Sequence, residues 1–242
     1  MRRFPFNQLT PGRPLILGHR GSPTVANENT LASFQQALAE GADGVELDVR
    51  RTADGVLVVF HDDALKSGEA LADCTFAELH EIAHGQGLAF HALDEVLREL
   101  SGKGFLNIEL KEIETATAAV DEALEYLPAD SYVFSSFLPM VVRECRARAA
   151  DVPAIYITDS CRDAERLYHL LDQMDASGVG LWHEAVTTEL AQFLHAHDVP
   201  LFVWTVNDVS EARRLAELHA VGIITDIPGT LRAAIAERKL ET

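Results

Sequence analysis

The chain has 242 residues, 38 of them acidic and 20 basic, for a formal net charge of −18, and 48% are hydrophobic. Such a balance suits a globular protein and excludes nucleic acid or an anionic membrane as a partner, since both are held by basic surfaces. No apolar run approaches the ~18 residues of a membrane span, so no stable membrane association is expected.

The opening Met1-Arg2-Arg3-Phe4-Pro5-Phe6 has no apolar stretch behind its arginines, so no export signal is expected and the cytoplasm is the expected compartment. Cys74, Cys145 and Cys161 lack metal-type spacing and are expected to be free thiols. From Arg13 onward, short β-type runs alternate with longer amphipathic ones. Strands are predicted at 15–19, 45–48, 105–109, 132–135, 154–157, 179–181, 201–205 and 222–225. Helical periodicity marks 31–39, 116–127, 164–171, 189–196 and 211–218. Near-continuous apolar strands alternating with helices indicate a parallel sheet covered by helices. Eight such units in a chain of this length predict an α/β fold, a closed (β/α)8 TIM barrel, as one domain over 1–242. Gly18-His19-Arg20-Gly21 does not supply the G-x-G-x-x-G of a dinucleotide-binding sheet.

A ninth run, 56–61, breaks the alternation. Only Arg50-Arg51-Thr52-Ala53-Asp54-Gly55 separates it from the second strand, too little for a parallel crossover, and Asp-Gly signals a hairpin. Residues 49–52 are therefore predicted to pair antiparallel with 56–60, which returns His61 to the level of Asp48. Residues 62–92 read as a small insertion over the active-site face. Within it, Thr75-Phe76-Ala77-Glu78 has the form of a capping box, and Gly85 is the predicted helix stop.

Glu46 and Asp48 are two apart at the C-terminal end of a strand, so both point to one face, where barrel enzymes keep their chemistry. Glu109 ends the third strand, with Lys111 on the same face. Three converging carboxylates repel unless a cation sits among them, and all-oxygen ligation suits Mg²⁺, Ca²⁺ or Mn²⁺ better than Zn²⁺. The same spacing also fits a set of solvated rim charges. His19 ends the first strand with Arg20 beside it, and His61 is expected at the same rim.

Together these residues resemble the glycerophosphodiester phosphodiesterases. The resemblance runs through Gly18-His19-Arg20-Gly21, Glu28-Asn29-Thr30, Glu46-Leu47-Asp48, Asp54-Gly55, Phe60-His61-Asp62 and Asn107-Ile108-Glu109-Leu110-Lys111. It continues in Ser135-Ser136-Phe137, Trp204-Thr205-Val206-Asn207 and Thr225-Asp226-Ile227-Pro228, covering nearly the whole chain in order. The resemblance implies a barrel that hydrolyses glycerophosphodiesters, which are small deacylated phospholipids, to sn-glycerol 3-phosphate and an alcohol. It makes His19 and His61 the acid/base pair, and Glu46, Asp48 and Glu109 the ligands of a divalent cation, Mg²⁺ or Ca²⁺. Arg20 and Lys111 become the phosphate-holding groups and Trp204 a residue lining the pocket. Two stretches depart from the family pattern. Asp63-Ala64-Leu65-Lys66-Ser67-Gly68 lacks the usual Thr-Leu-x-Arg, and His91-Ala92-Leu93 replaces Pro-Thr-Leu. Both bear on the head group taken, not on the reaction.

Three rivals compete. His80-Glu81-Ile82-Ala83-His84 matches the zinc-protease motif H-E-x-x-H, but its third histidine would fall on Phe90, and the short helix has an ordinary packed face. A relative acting on acylated lipid would need an apolar rim, which the acidic insertion does not provide. A binding module without catalysis would have no reason to keep both histidines and all three carboxylates.

Overall fold

In the computed structural model, which describes residues 13–236, eight strands run parallel and close on themselves. They are β1 (Leu15–Gly18), β2 (Gly44–Arg51), β4 (Phe105–Leu110), β5 (Tyr132–Ser136), β6 (Ala154–Thr158), β7 (Gly178–Trp182), β8 (Leu201–Trp204) and β9 (Gly222–Thr225). β3 (Leu57–Val59) stands outside the ring. The order β1-β9-β8-β7-β6-β5-β4-β2 is completed by a β1–β2 pairing, giving the expected (β/α)8 barrel. Helices α1 (Leu31–Ala39), α2 (Phe76–Gly85), α3 (Leu93–Leu100), α4 (Ala116–Tyr126), α5 (Pro139–Arg148), α6 (Ala164–Gln173), α7 (Thr188–Ala196), α8 (Val209–Glu217) and α9 (Pro228–Ala236) follow in chain order. Among the described residues no helix is long and apolar enough to cross a membrane. Residues 1–6, on which the export reading rested, lie outside the described residues.

Strand alternation sorts the side chains into two cores. Val45, Leu47 and Val49 of β2 turn outward into the layer shared with helix residues such as Phe34 and Leu97. Leu17, Phe105, Val133, Ile155, Phe202 and Ile224 fill the barrel interior. Gly222 makes room for one of these, because a Cβ there would come within 2.3 Å of the Phe202 ring. Higher on β2 and β4, the inward positions change from apolar to Glu46, Asp48 and Glu109.

The hairpin forms as predicted, with Val49, Arg50 and Arg51 paired antiparallel to Val59, Val58 and Leu57. Gly55 supplies the positive φ of +86° at its turn, and Phe60 N–H donates to the Asp48 carbonyl at 3.0 Å. The return strand is therefore not a ninth barrel member. β2 runs on past the rim to Arg51, as the predicted pairing of 49–52 requires, because the antiparallel partner satisfies the extra backbone groups. His19 and Thr205 fall just outside β1 and β8, each one residue past the last paired position.

Residues 62–92 build a small core of their own against β3, from Val58, Leu65, Leu71, Leu79, Ala83 and Phe90. The Thr75–Glu78 capping box opens α2, a feature worth ~1 kcal/mol. The helix ends differently from expectation. Gly85 is its last helical residue, and the left-handed φ of +72° that turns the chain away belongs to Gly87.

Candidate active site

The register of β2 against β4 sets Asp48 opposite Glu109 and Glu46 opposite Asn107, so the three carboxylates occupy two adjacent levels of the barrel mouth. Each offers an oxygen within 4.8 Å of the others, and all three residues are buried. Burial, and then the charge of Asp48, push Glu46 up to about 8. Burial and Asp48 likewise hold Glu109 above the usual carboxylate range. Burial works against ionised Asp48 too, but the Lys111 and Arg20 charges more than offset it and leave its pKa below the ordinary value. Lys111 Nζ lies 2.7 Å from Asp48 Oδ1 and also contacts Glu109. Oε1 of Glu46 is buried without a hydrogen-bond partner among the described residues. Crowded carboxylates, an orphaned oxygen and an all-oxygen donor set fit a divalent cation of the hard type.

The loop after β1 wraps these carboxylates. Arg20 and Asn29 both take left-handed backbone, φ +53° and +55°, a conformation uncommon for arginine and more readily taken by asparagine. The reward is directional bonding to β2. Arg20 N–H donates to Glu46 Oε2 at 2.9 Å, and Asn29 Nδ2 donates to Asp48 Oδ2 at 2.8 Å. The Arg20 guanidinium pairs with Glu28 at 2.9 Å and with Asp48 at 3.3 Å.

Two histidines line the same cavity. His19 Nδ1 lies 2.7 Å from Asp226 Oδ1, just past β9. Asp226 is itself pinned by Asn207, whose Nδ2 donates to Oδ2 at 2.6 Å and whose Oδ1 accepts from the Asp226 N–H at 2.9 Å. Burial pulls the His19 pKa down, but the Asp226 hydrogen bond and the Glu46 charge raise it above the ordinary histidine value. His61 Nδ1 lies 2.7 Å from Asp62 Oδ1, and its carbonyl accepts from Arg50 Nε at 2.6 Å. With each Nδ1 engaged by a carboxylate, each Nε2 is left for the cavity.

The cavity measures about 250 Å³ and has two characters. The side formed by the β1, β2 and β4 ends is polar and charged. The opposite side is apolar, made by Ile155, Ile157, Gly180, Trp204 and Ile224. Phe137, after β5, meets Trp204 edge to face, with centroids 5.4 Å apart at 83°.

Every site residue expected from the sequence thus gathers at one mouth: His19, Arg20, Glu46, Asp48, His61, Glu109, Lys111 and Trp204. Asp226, Asn207 and Asn29 belong to the same network but carried no expected role. Their motifs stood out in the sequence, yet their partners lie on other strands and only closure of the barrel reveals them. His80 and His84 are exposed on α2. Among the described residues the one grouping of potential metal ligands within mutual reach is Glu46, Asp48 and Glu109.

Comparison with known proteins agrees with this geometry. The sequence model of the glycerophosphoryl diester phosphodiesterase family matches residues 19–230. A glycerophosphodiester phosphodiesterase of Caldanaerobacter subterraneus is 32% identical over 236 residues, covering 90% of this chain and 96% of that protein. The structure of an Oleispira antarctica phosphodiesterase in complex with the product sn-glycerol-3-phosphate superposes with a TM-score of 0.84 at 28% identity, over 92% of this chain and 97% of the other. A glycerophosphodiester phosphodiesterase from Thermotoga maritima superposes at 0.80 and 29% identity, over 91% and 98%.

Proposed function

The chain belongs to the glycerophosphoryl diester phosphodiesterase family and is a phosphoric diester hydrolase; from that premise we propose metal-dependent hydrolysis of glycerophosphodiesters to sn-glycerol 3-phosphate and an alcohol, in glycerophospholipid degradation. The observation that carries this reading is a single small cavity lined by two histidines with a buried carboxylate triad at its mouth. The product held by the Oleispira relative supports the substrate class.

In this reading Glu46, Asp48 and Glu109 hold the cation, which when bound neutralises charge on the phosphoryl oxygens. Mg²⁺ or Ca²⁺ suits the oxygen donors, with Mn²⁺ as a third choice. Arg20 and Lys111 bind the phosphate with charge-assisted hydrogen bonds, which are shorter and stronger than neutral ones. Held apart by the substrate, His19 and His61 take a proton from the attacking oxygen and return one to the leaving alkoxide, each worth ~10²–10⁴ in rate. The carboxylates behind them, Asp226 and Asp62, fix the ring orientation and favour the tautomer with Nε2 free. Trp204 and the isoleucines exclude water from the far side of the cavity.

The test is a glycerol 3-phosphate assay across glycerophosphodiesters with different head groups, on protein stripped of metal and then resupplied. Release that depends on added Mg²⁺ or Ca²⁺ is the expected result. No release from any of them with any divalent cation would sink the reading.

A further inference from the structure

The two histidines are anchored in different ways. His19 leans on Asp226, which arrives from the far end of the sequence and is pinned by Asn207, so its ring is fixed to the barrel itself. His61 leans on Asp62, its own neighbour in the chain, whose carboxylate is 61% exposed. A partner one residue away sets the ring against its own backbone. Something else must fix that backbone to the barrel. The bond from Phe60 N–H to the Asp48 carbonyl is one such tie, a main-chain contact that does not depend on the side chains present. The other comes from a side chain, that of Arg50.

Arg50 lies on the strand face that carries Glu46 and Asp48, one alternation further on, where β2 has left the barrel and pairs with β3. Its Nε donates to the His61 carbonyl at 2.6 Å, and its Nη1 donates to Glu112 Oε1 at 2.7 Å. Glu112 is brought there by β4, whose pairing with β2 runs on through a bond from Lys111 N–H to the Val49 carbonyl at 3.2 Å. The Arg50 and Glu112 side chains are only 18% and 32% exposed, so their charge-assisted bond is sheltered in a way that surface pairs are not. A guanidinium is a rigid planar fork, so one side chain ties the His61 main chain to the end of the strand that bears Glu109 and Lys111. Neither Arg50 nor Glu112 is among the residues lining the catalytic cavity.

We propose that Arg50, held by Glu112, is the positioning residue of His61, fixing the height at which the hairpin return presents the imidazole to the cavity. The role rests on the phosphodiesterase reading and deepens it. Without this bond the His61 main chain is free to drift, while Glu46 and Asp48 keep their ties to Arg20, Asn29 and Lys111. A displacement of about 1 Å at an acid/base group costs on the order of 10² in rate. The phosphate-holding groups stay in place, so the loss falls on kcat.

The test is a cycle of full-length, metal-loaded proteins: wild type, Arg50→Met, His61→Ala and the double variant. Release of glycerol 3-phosphate from sn-glycero-3-phosphocholine gives kcat and KM for each. Methionine keeps much of the length of the arginine stem without its donors. Arg50→Met alone should lower kcat by about 10–10² with KM within a few fold. In the His61→Ala background the same change should cost less than about twofold, because an effect exerted through a residue disappears with it. Glu112→Gln should lower kcat by about three- to tenfold, since the His61 bond then survives without its anchor. Equal losses from Arg50→Met in both backgrounds would place its action elsewhere and overturn the proposal. So would a wild-type kcat in Arg50→Met, or a KM that rises while kcat holds, which marks a substrate contact. Should Arg50→Met fail to fold, Arg50→Lys takes its place, since a lysine reaches only one of the two acceptors, and the same loss of effect in the His61→Ala background is expected. Wild-type protein that is inactive on every glycerophosphodiester would remove the parent reading and this role together, whereas the other adverse outcomes remove the role alone.

Discussion

His19 and Asp226 meet at 2.7 Å although 207 positions separate them in sequence. Barrel closure brings them together. β1 pairs with β9, Gly18 opposite Thr225, so the next residue on each chain stands at the same level of the rim. Asn207, just after β8, then locks the aspartate, so the histidine ring is oriented by two residues that are not among those lining the cavity.

Replacing Asp226 by Asn keeps the shape but lets the amide donate to Nδ1, which favours the opposite tautomer. We expect kcat to fall by about 10–10² with KM within a few fold. Nitrogen-15 NMR should show the His19 proton moving from Nδ1 to Nε2. A variant with full kcat and the altered tautomer would reject the positioning role.

The two histidines themselves should each be costly to lose. His19→Ala and His61→Ala are expected to lower kcat by at least about 10² with thermal midpoints near wild type. Near-normal turnover in either removes that residue from the acid/base pair.

Metal should act on stability as well as on rate, since it relieves repulsion among buried carboxylates. At a hundred-fold excess over Kd, Mg²⁺ or Ca²⁺ should add about 2.7 kcal/mol, or roughly 5–10 °C in Tm. Chelator should reverse this, and Asp48→Asn should abolish it. An unchanged Tm in the wild type with either ion would argue against a cation at the triad.

Glu122 on α4 reports on a different part of the fold. Burial, and then Asp94 and Glu125, push it up to about 7, and its Oε2 has no hydrogen-bond partner among the described residues. The folded protein keeps this proton to about 7, whereas the unfolded chain releases it near the ordinary glutamate value of 4.5. Its contribution to stability is therefore full below 4.5 and is lost as pH rises through about 7. Glu122→Gln should cancel that loss. Its stability advantage over wild type, followed by denaturant unfolding, should grow between those two pH values, by on the order of 1 kcal/mol once solvent screening is allowed for. A pH-independent difference would contradict the shift.

The double substitution of His80 and His84 by Ala should leave phosphodiesterase turnover within a few fold. Both are exposed on α2, with no third ligand within reach among the described residues. Stoichiometric zinc in wild type that vanishes in this variant would revive the protease motif.

What the sequence made legible was local or periodic. Alternation on β2 put Glu46 and Asp48 on one face, and Asp54-Gly55 marked the turn that brings His61 back. Pairings between distant strands left no such trace. Nothing around Asp226 or Asn29 announces that one holds His19 and the other holds Asp48, because register between strands is set by closure.

The pairing that closes the barrel also sets when the enzyme can become active during synthesis. When Glu109, the last of the three carboxylates, has been added to the chain, Asp226 is still 117 positions from being made (226 − 109), with Asn207 on the way. At ordinary elongation rates that interval is on the order of ten seconds. Throughout it β1 lacks its β9 neighbour, His19 lacks its anchor, and a row of unpaired backbone groups stands open on the first strand. Chaperone dependence of the nascent chain should accordingly be concentrated before residue 226 emerges. Catalytic competence would then be switched on in a single late event, not accumulated strand by strand.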